Sequence, residues 1–252
     1  VIDLVERLRA AGCVFAEDEA RLLRDAAATP GELETMAARR IAGEPLEHVV
    51  GWVEFAGRRW AVDPGVFVPR QRSELLVRTA ASLGSENATV LDLCCGCGAL
   101  GGATALALPG SRLVAADIDP VAVACAARNL APLGGTAFAG DLFSPLLPDL
   151  RGTVTVLLAN VPYVPTDAVA LMPPEARDHE PRYALDGGPD GLDLLRRVAA
   201  SAAGWLAPGG RLLTETSEAQ AALAVAILTG AGLTAHVVKD DDLGATAVVA
   251  RR

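Results

Sequence analysis

From residue 73 to the C-terminus short apolar runs alternate with alanine- and leucine-rich stretches of helical spacing, with no internal repeat. Residues 88–93, 112–116, 136–138, 153–159, 211–216, 234–238 and 246–250 read as strands. Helices are expected over 73–84, with Ser73 as the cap, and over 99–108, 121–130, about 191–203 and 220–228. Apolar strands that alternate with helices specify a mainly parallel sheet covered on both faces.

Upstream the pattern differs. Residues 1–43 keep helical spacing, with Ile2, Leu4, Val5 and Leu8, then Leu22, Leu23 and Ala26, then Leu33, Met36, Ala37 and Ile41 on successive faces. Breaks fall at Gly12 and at Thr29-Pro30-Gly31, where Thr29 can cap a helix that begins at Pro30. About three helices of this size make a weak core alone, so they are expected to pack on the downstream part of the chain or on a partner. At Gly43-Glu44-Pro45-Leu46 the period becomes two. Val49, Gly51, Val53 and Phe55, then Arg59 and Ala61, flank Ala56-Gly57-Arg58, which predicts a hairpin with Gly57 at a positive φ. Residues 62–70 form an extended, proline-bounded connector. The division is a helical domain over 1–43, a hairpin and connector over 44–72, and an α/β domain over 73–252.

The 252 residues carry a net charge of −9, which argues against direct nucleic-acid binding, since that relies on clustered Lys and Arg. No apolar run approaches the roughly 18 residues of a membrane span. The first residues lack the apolar stretch of a secretory signal, so a cytoplasmic protein without a membrane partner is expected. Of five cysteines, three crowd into Cys94-Cys95-Gly96-Cys97. That arrangement is not a disulfide framework, and neither a second cysteine pair nor a histidine pair completes a zinc site, so no metal is expected. Nothing in the pattern specifies an oligomeric state.

Asp92-Leu93-Cys94-Cys95-Gly96-Cys97-Gly98 lies between a strand and a helix, where open α/β sheets bind ligands. Gly96 and Gly98 allow a tight turn and close approach of a ligand, and Asp92 can take a cationic or hydroxyl-bearing group. The third glycine of a dinucleotide fingerprint is missing. Yet Asp117 ends the next strand about 20 residues on, where an acid accepts both ribose hydroxyls of a nucleoside. An adenosine without a pyrophosphate points to S-adenosyl-L-methionine. Asp119 reads as the cap of the following helix. Asp141-Leu142, after the third strand, is placed to bracket the adenine. The cofactor-binding candidates are therefore Asp92, Cys94, Gly96, Gly98, Asp117, Ile118, Asp141, Leu142 and Asn160.

The buried run 153–159 ends in Asn160-Val161-Pro162-Tyr163, a polar amide, a pre-proline bend and an aromatic ring. This tetrapeptide resembles the Asn-Pro-Pro-Tyr signature of methyltransferases that act on amide or aromatic-amine nitrogens. Further residues narrow the resemblance to the protein-(glutamine-N5) methyltransferases of the HemK-like release-factor family. They are Arg40 to Leu46, Glu54-Phe55, Val68-Pro69-Arg70, Glu180-Pro181 through Leu192, and Leu206 to Glu215 with Gln220. The departures are Val161 for proline, Pro69-Arg70-Gln71-Arg72-Ser73-Glu74 for Pro-Arg-Pro-Glu-Thr-Glu, and a shorter helical module.

The resemblance implies a Rossmann-like class I methyltransferase fold with a mostly parallel seven-stranded sheet, S-adenosyl-L-methionine as cofactor, and a protein substrate, by default a peptide chain release factor. Asn160, Val161, Pro162 and Tyr163 are the catalytic candidates, with Arg70, Glu180 and Pro181 as substrate contacts. A carboxamide nitrogen is a poor nucleophile because its lone pair is delocalised. Acceptors for its two N–H bonds localise and aim that pair, and Asn160 Oδ1 and the Val161 carbonyl can supply them. Pro162 holds Val161 extended whatever its side chain. Tyr163 is expected to pack against the substrate side chain or the methyl donor. Two other readings use the same residues, amino-methylation of adenine or cytosine in nucleic acid and a non-catalytic S-adenosyl-L-methionine-binding protein.

Overall fold

A computed structural model describes residues 3–84 and 86–252, so the expected helical positions Val1 and Ile2 lie outside the described residues. The first helices are α1 (Leu4–Ala10), α2 (Ala16–Ala26) and α3 (Pro30–Ile41). Thr29 Oγ1 accepts the Glu32 N–H at 3.1 Å, which caps the start of α3, while the Glu32 carboxylate accepts the Ala28 N–H at 2.8 Å and ties down the chain that enters it. Leu4, Leu8, Ala20, Leu23 and Met36 form a small apolar core of their own.

The period-two pattern does not begin at Val49. Leu46–Val50 closes into one helical turn, α4, capped by Gly51 at φ 81° with its N–H on the Glu47 carbonyl. The hairpin of β1 (Trp52–Phe55) and β2 (Arg58–Ala61) follows. Both turn residues, Ala56 at φ 51° and Gly57 at φ 71°, are left-handed, as a two-residue hairpin turn requires. Asn129 staples the hairpin to the glycine loop, exchanging hydrogen bonds with both backbone groups of Ala61 and donating to the Cys97 carbonyl at 2.8 Å.

The α/β part runs α5 (Glu74–Leu83), β3 (Thr89–Leu93), α6 (Ala99–Ala107), β4 (Arg112–Asp117), α7 (Pro120–Leu130), β5 (Thr136–Ala139) and β6 (Val154–Ala159). It continues with α8 (Pro174–His179), α9 (Asp193–Trp205), β7 (Leu206–Thr216), α10 (Ala221–Gly230), β8 (Thr234–Asp240) and β9 (Ala245–Arg251). The seven strands lie in the order β5-β4-β3-β6-β7-β9-β8, and β9 alone runs against its neighbours. Side chains alternate across the sheet. Val90, Val156, Leu158 and Leu213 face α5, α6 and α7, while Leu91, Leu93, Leu157 and Leu212 face α9 and α10.

The strand order reverses at β3, whose neighbours are β4 and β6. This switch point opens a crevice at the carboxyl ends of the strands, and the pairing of Leu93 with Ala159 sets the loops after β3 and β6 side by side. Ser73 does not cap α5. It makes no capping bond, because the preceding turn over Gln71–Ser73 turns its hydroxyl toward β7 instead.

Arg40 joins the helical segment to the loop after β6. It is 6% exposed and reaches Glu19 at 2.6 Å and Glu175 of α8 at 2.6 Å. Among the described residues no helix is long and apolar enough to cross a membrane.

Candidate active site

The loop after β3 turns sharply, with Cys94 at φ 54°, Gly96 at φ 54° and Gly98 at φ 79°. Asp92, 1% exposed, lies beneath it and accepts the Gly101 N–H through Oδ2 at 2.8 Å. A Cβ at Gly101 would stand 2.7 Å from that oxygen, so this turn of α6 admits glycine only. Asp92 Oδ1 has no partner among the described residues, and burial pushes the carboxyl up to about 7. A buried oxygen that aims at no donor is what a cationic or hydroxyl-bearing ligand would complete. Burial also raises the thiols around it, Cys97 to about 12, so they are packing groups rather than nucleophiles.

At the end of β4 Asp117 is held by two backbone donors, Gly96 N–H at 2.9 Å and Asp119 N–H at 3.0 Å. Burial raises its carboxyl, and those donors act against the rise. Asp119 caps α7 through the Val121 N–H at 2.9 Å, as expected, but its other oxygen accepts the Tyr183 hydroxyl at 2.7 Å. That bond spans the crevice from the loop after β6.

The opposite wall is the end of β6. Val161 is 2% exposed with its side chain in the core, which leaves its main chain as what it offers the crevice. Asn160 Nδ2 donates to Ser73 Oγ at 3.3 Å, and Ser73 donates to Glu215 Oε2 at 2.5 Å. The other Glu215 oxygen accepts from Tyr163 and from Arg72 Nε at 2.7 Å, while Arg72 also donates to the Tyr163 hydroxyl at 2.8 Å. Tyr163 thus has its hydroxyl anchored within the protein, which leaves only its ring for a ligand. Burial pushes that hydroxyl well above its ordinary range.

The segment is braced from behind. Gln220 donates to the carbonyls of Tyr163 and Asp190 at 2.9 and 2.8 Å, and Val164 pairs with Asp186 in an isolated bridge. A Cβ at Gly191 would lie 2.2 Å from the Tyr163 carbonyl.

One cleft collects Arg70, Cys94, Gly96, Asp117, Ile118 and Asn160 through Tyr163, with Phe67, Arg72, Met172, Tyr183 and Leu194 completing its walls. Asp92 lies below it beside Ser73 and Asn160. Other expected positions already have partners within the protein. Gly98 starts α6 against Leu130 and Ala126, Asp141 pairs with Arg197 of α9 at 2.5 Å, and Leu142 packs on the core. Glu180 is 5% exposed and is taken by the Val68 N–H at 3.1 Å and by Arg70 at 2.6 Å. It straps the connector to the loop after β6, with Pro181 leading into the next turn.

In the sequence Arg72 stands out only as a departure from a motif, Ser73 reads as a cap, and Glu215 has no role of its own. The available signal for Glu215 was an acid inside the otherwise apolar and hydroxyl run 212–216. A larger groove, about 590 Å³, shares Arg70 and Arg72 and runs against Leu22, Leu46 and Trp52. It holds neither the glycine loop nor Asn160.

Residues 60–171 match the family model described as the methyltransferase small domain. The release factor glutamine methyltransferase of Geobacter sulfurreducens is 37% identical over 86% of this chain and 76% of its own length. That of Mycolicibacterium smegmatis is 38% identical over 83% and 75%. The chain belongs to the release factor glutamine methyltransferase family. A relative named 4-amino-L-phenylalanine/4-methylamino-L-phenylalanine methyltransferase, from Streptomyces pristinaespiralis, is 33% identical over 82% of this chain and 77% of its own. Among solved structures, the 16S rRNA N2 G1207 methyltransferase of T. thermophilus superposes with a TM-score of 0.57 at 20% identity, covering 80% of this chain and 49% of that one. A methyltransferase from Pyrococcus furiosus gives 0.53 at 15% identity, over 71% and 80%. These likenesses establish the Rossmann-like methyltransferase fold, and the family places S-adenosyl-L-methionine as the cofactor.

Proposed function

We propose that this release factor glutamine methyltransferase family member transfers the methyl group of S-adenosyl-L-methionine to the side-chain amide nitrogen, N5, of a glutamine in a peptide chain release factor. The observation that carries the reading is the Asn160 carboxamide, tied at its nitrogen and therefore presenting Oδ1, in one cleft with Asp117 and the glycine loop. Asp117, Gly96 and Ile118 hold the nucleoside end of the cofactor, and the orphaned Asp92 oxygen serves its charged end. When bound, the cofactor supplies an electrophilic methyl group on a sulfonium.

The residues of the chain do the rest. Asn160 Oδ1 and the Val161 carbonyl accept the two N–H bonds of the glutamine amide, which withdraws its lone pair from conjugation and points it along one line. The conjugation opposed is worth on the order of the 18–20 kcal/mol amide rotation barrier, so partial localisation already has a large effect on rate. The Tyr163 ring and Phe67 flank the acceptor and exclude water. The product sheds its proton to solvent after transfer. Residues 1–43 and 44–72 form the part that engages the protein substrate, and 73–252 the part that performs the transfer.

Labelled methyl transfer to purified release factors, with Asn160→Ala beside the wild type, tests the reading. The variant is expected to lose on the order of 10²–10³ in rate with cofactor affinity kept. A variant rate within threefold of the wild type sinks the role of Asn160. Label on oligonucleotides or on a free aromatic amino acid, with release factors unlabelled, replaces the substrate. The net charge of −9 and the family both weigh against nucleic acid.

A further inference from the structure

Asn160 can serve as an acceptor only if the correct end of its carboxamide faces the cleft. The two ends differ by a half-turn of the side chain and are nearly equal in shape, so packing cannot choose between them. Something with a fixed hydrogen-bond polarity has to.

We infer that Glu215, acting through Ser73, is the positioning residue that sets this choice, an inference that rests on the proposed amide methylation. A carboxylate can only accept. Glu215 is 4% exposed and offers Oε2 to Ser73 at 2.5 Å, so the single hydroxyl proton of Ser73 is committed to it. Ser73 Oγ, itself buried, then has only lone pairs left for Asn160 and can meet Nδ2 but not Oδ1. The polarity runs one way, from the Asn160 amide to the Ser73 hydroxyl to the Glu215 carboxylate, and it leaves Oδ1 for the cleft.

The remaining Glu215 oxygen is saturated by Tyr163 and by Arg72 Nε at 2.7 Å. The Arg72 cation compensates a carboxylate that would otherwise be buried alone. The same acid therefore anchors both ends of the tetrapeptide, the amide of Asn160 and the ring of Tyr163.

Glu215→Gln keeps size and shape but brings a donor. With its NH₂ toward Ser73, the hydroxyl accepts from residue 215 and donates onward, and the Asn160 carboxamide turns its NH₂ to the cleft. The expected result is a fall in kcat of about 10²–10³, comparable to losing one preorganised polar contact, with KM and cofactor affinity each within threefold. Ser73→Ala breaks the relay without touching the buried charge and should also lower kcat. Ser73→Thr retains the hydroxyl and should restore most of it.

A second readout needs no substrate. The chain has three asparagines, Asn87, Asn129 and Asn160. In protein labelled with ¹⁵N-asparagine, the Asn160 side-chain amide should show one proton held against exchange, and Glu215→Gln and Ser73→Ala should release it. Unchanged Asn160 amide signals in both variants would falsify the inference, as would a kcat loss in Glu215→Gln that only tracks lost cofactor binding or melting temperature. If wild-type protein labels no release factor while both variants release the Asn160 amide, the relay stands and the proposed substrate falls.

Discussion

Replacing Asp92 by Asn tests whether the glycine loop carries a carboxyl held out of its ordinary range for a cofactor's charged end. Burial raises this carboxyl from 3.8 to about 7, with the Gly101 N–H opposing and Asp117 adding to the rise. Because the folded-state value is the higher one, the folded protein holds a proton that the unfolded chain has lost between about pH 4 and pH 7. Stability then declines as pH rises through that window and is level above it. At about 1.4 kcal/mol per pH unit, a rise of this size is worth roughly 4 kcal/mol. The carboxamide of the variant does not titrate, so urea denaturation of wild type and Asp92→Asn from pH 4 to pH 8 should show their difference growing by a few kcal/mol toward the variant. Other titrating groups are common to both chains and cancel. Cofactor affinity at pH 8 should move the opposite way, weakening at least about tenfold for one lost charge-assisted contact. Two denaturation profiles that stay parallel across the window would mean that Asp92 ionises normally without ligand, and the reasoning from its orphaned oxygen would fail.

Two further tests address the frame around the site. Arg40→Ala strips the cation from buried Glu19 and should cost about 3–5 kcal/mol in chemical denaturation, with loosened protection of α8 in hydrogen exchange because the bond to Glu175 is lost as well. A loss below about 1 kcal/mol would show that the pair contributes little. Gly191→Ala forces a side chain into a left-handed position 2.2 Å from the Tyr163 carbonyl, and should cost about 1–3 kcal/mol and lower kcat more than it weakens cofactor binding. Equal effects on both kinetic quantities would argue against a brace specific to Tyr163.

The parts of the site legible in the sequence are those whose signal is local. Asp117 was placed by its distance along the chain from the glycine loop, since one strand and one helix set that spacing. Asn160 was placed by its position after a buried strand and by the residues around it. Ser73 shows how a local signal misleads. A serine before a helix usually caps it, but here a buried carboxylate 142 positions away holds the hydroxyl more firmly than a backbone N–H would. Arg72 had the opposite fate, because a departure from a family motif gained a partner, Glu215, that only folding brings near. The sequence also gives no sign of the arginines that Glu180 and Asp141 meet in space, Arg70 and Arg197.

By itself the sequence determined the alternation of strand and helix, the glycine turn after the first strand of the sheet, and the tetrapeptide Asn160 to Tyr163, since periodicity, turn chemistry and a pre-proline bend act over a few neighbouring residues. Tertiary structure alone decided which way those groups face. The reversal of strand order at β3 set Asn160 beside the glycine loop. Contacts spanning 52 to 143 residues tied Tyr163, Ser73 and Arg72 to one carboxylate. Hydrogen-bond polarity passes through space from donor to acceptor, and no pattern along the chain records it.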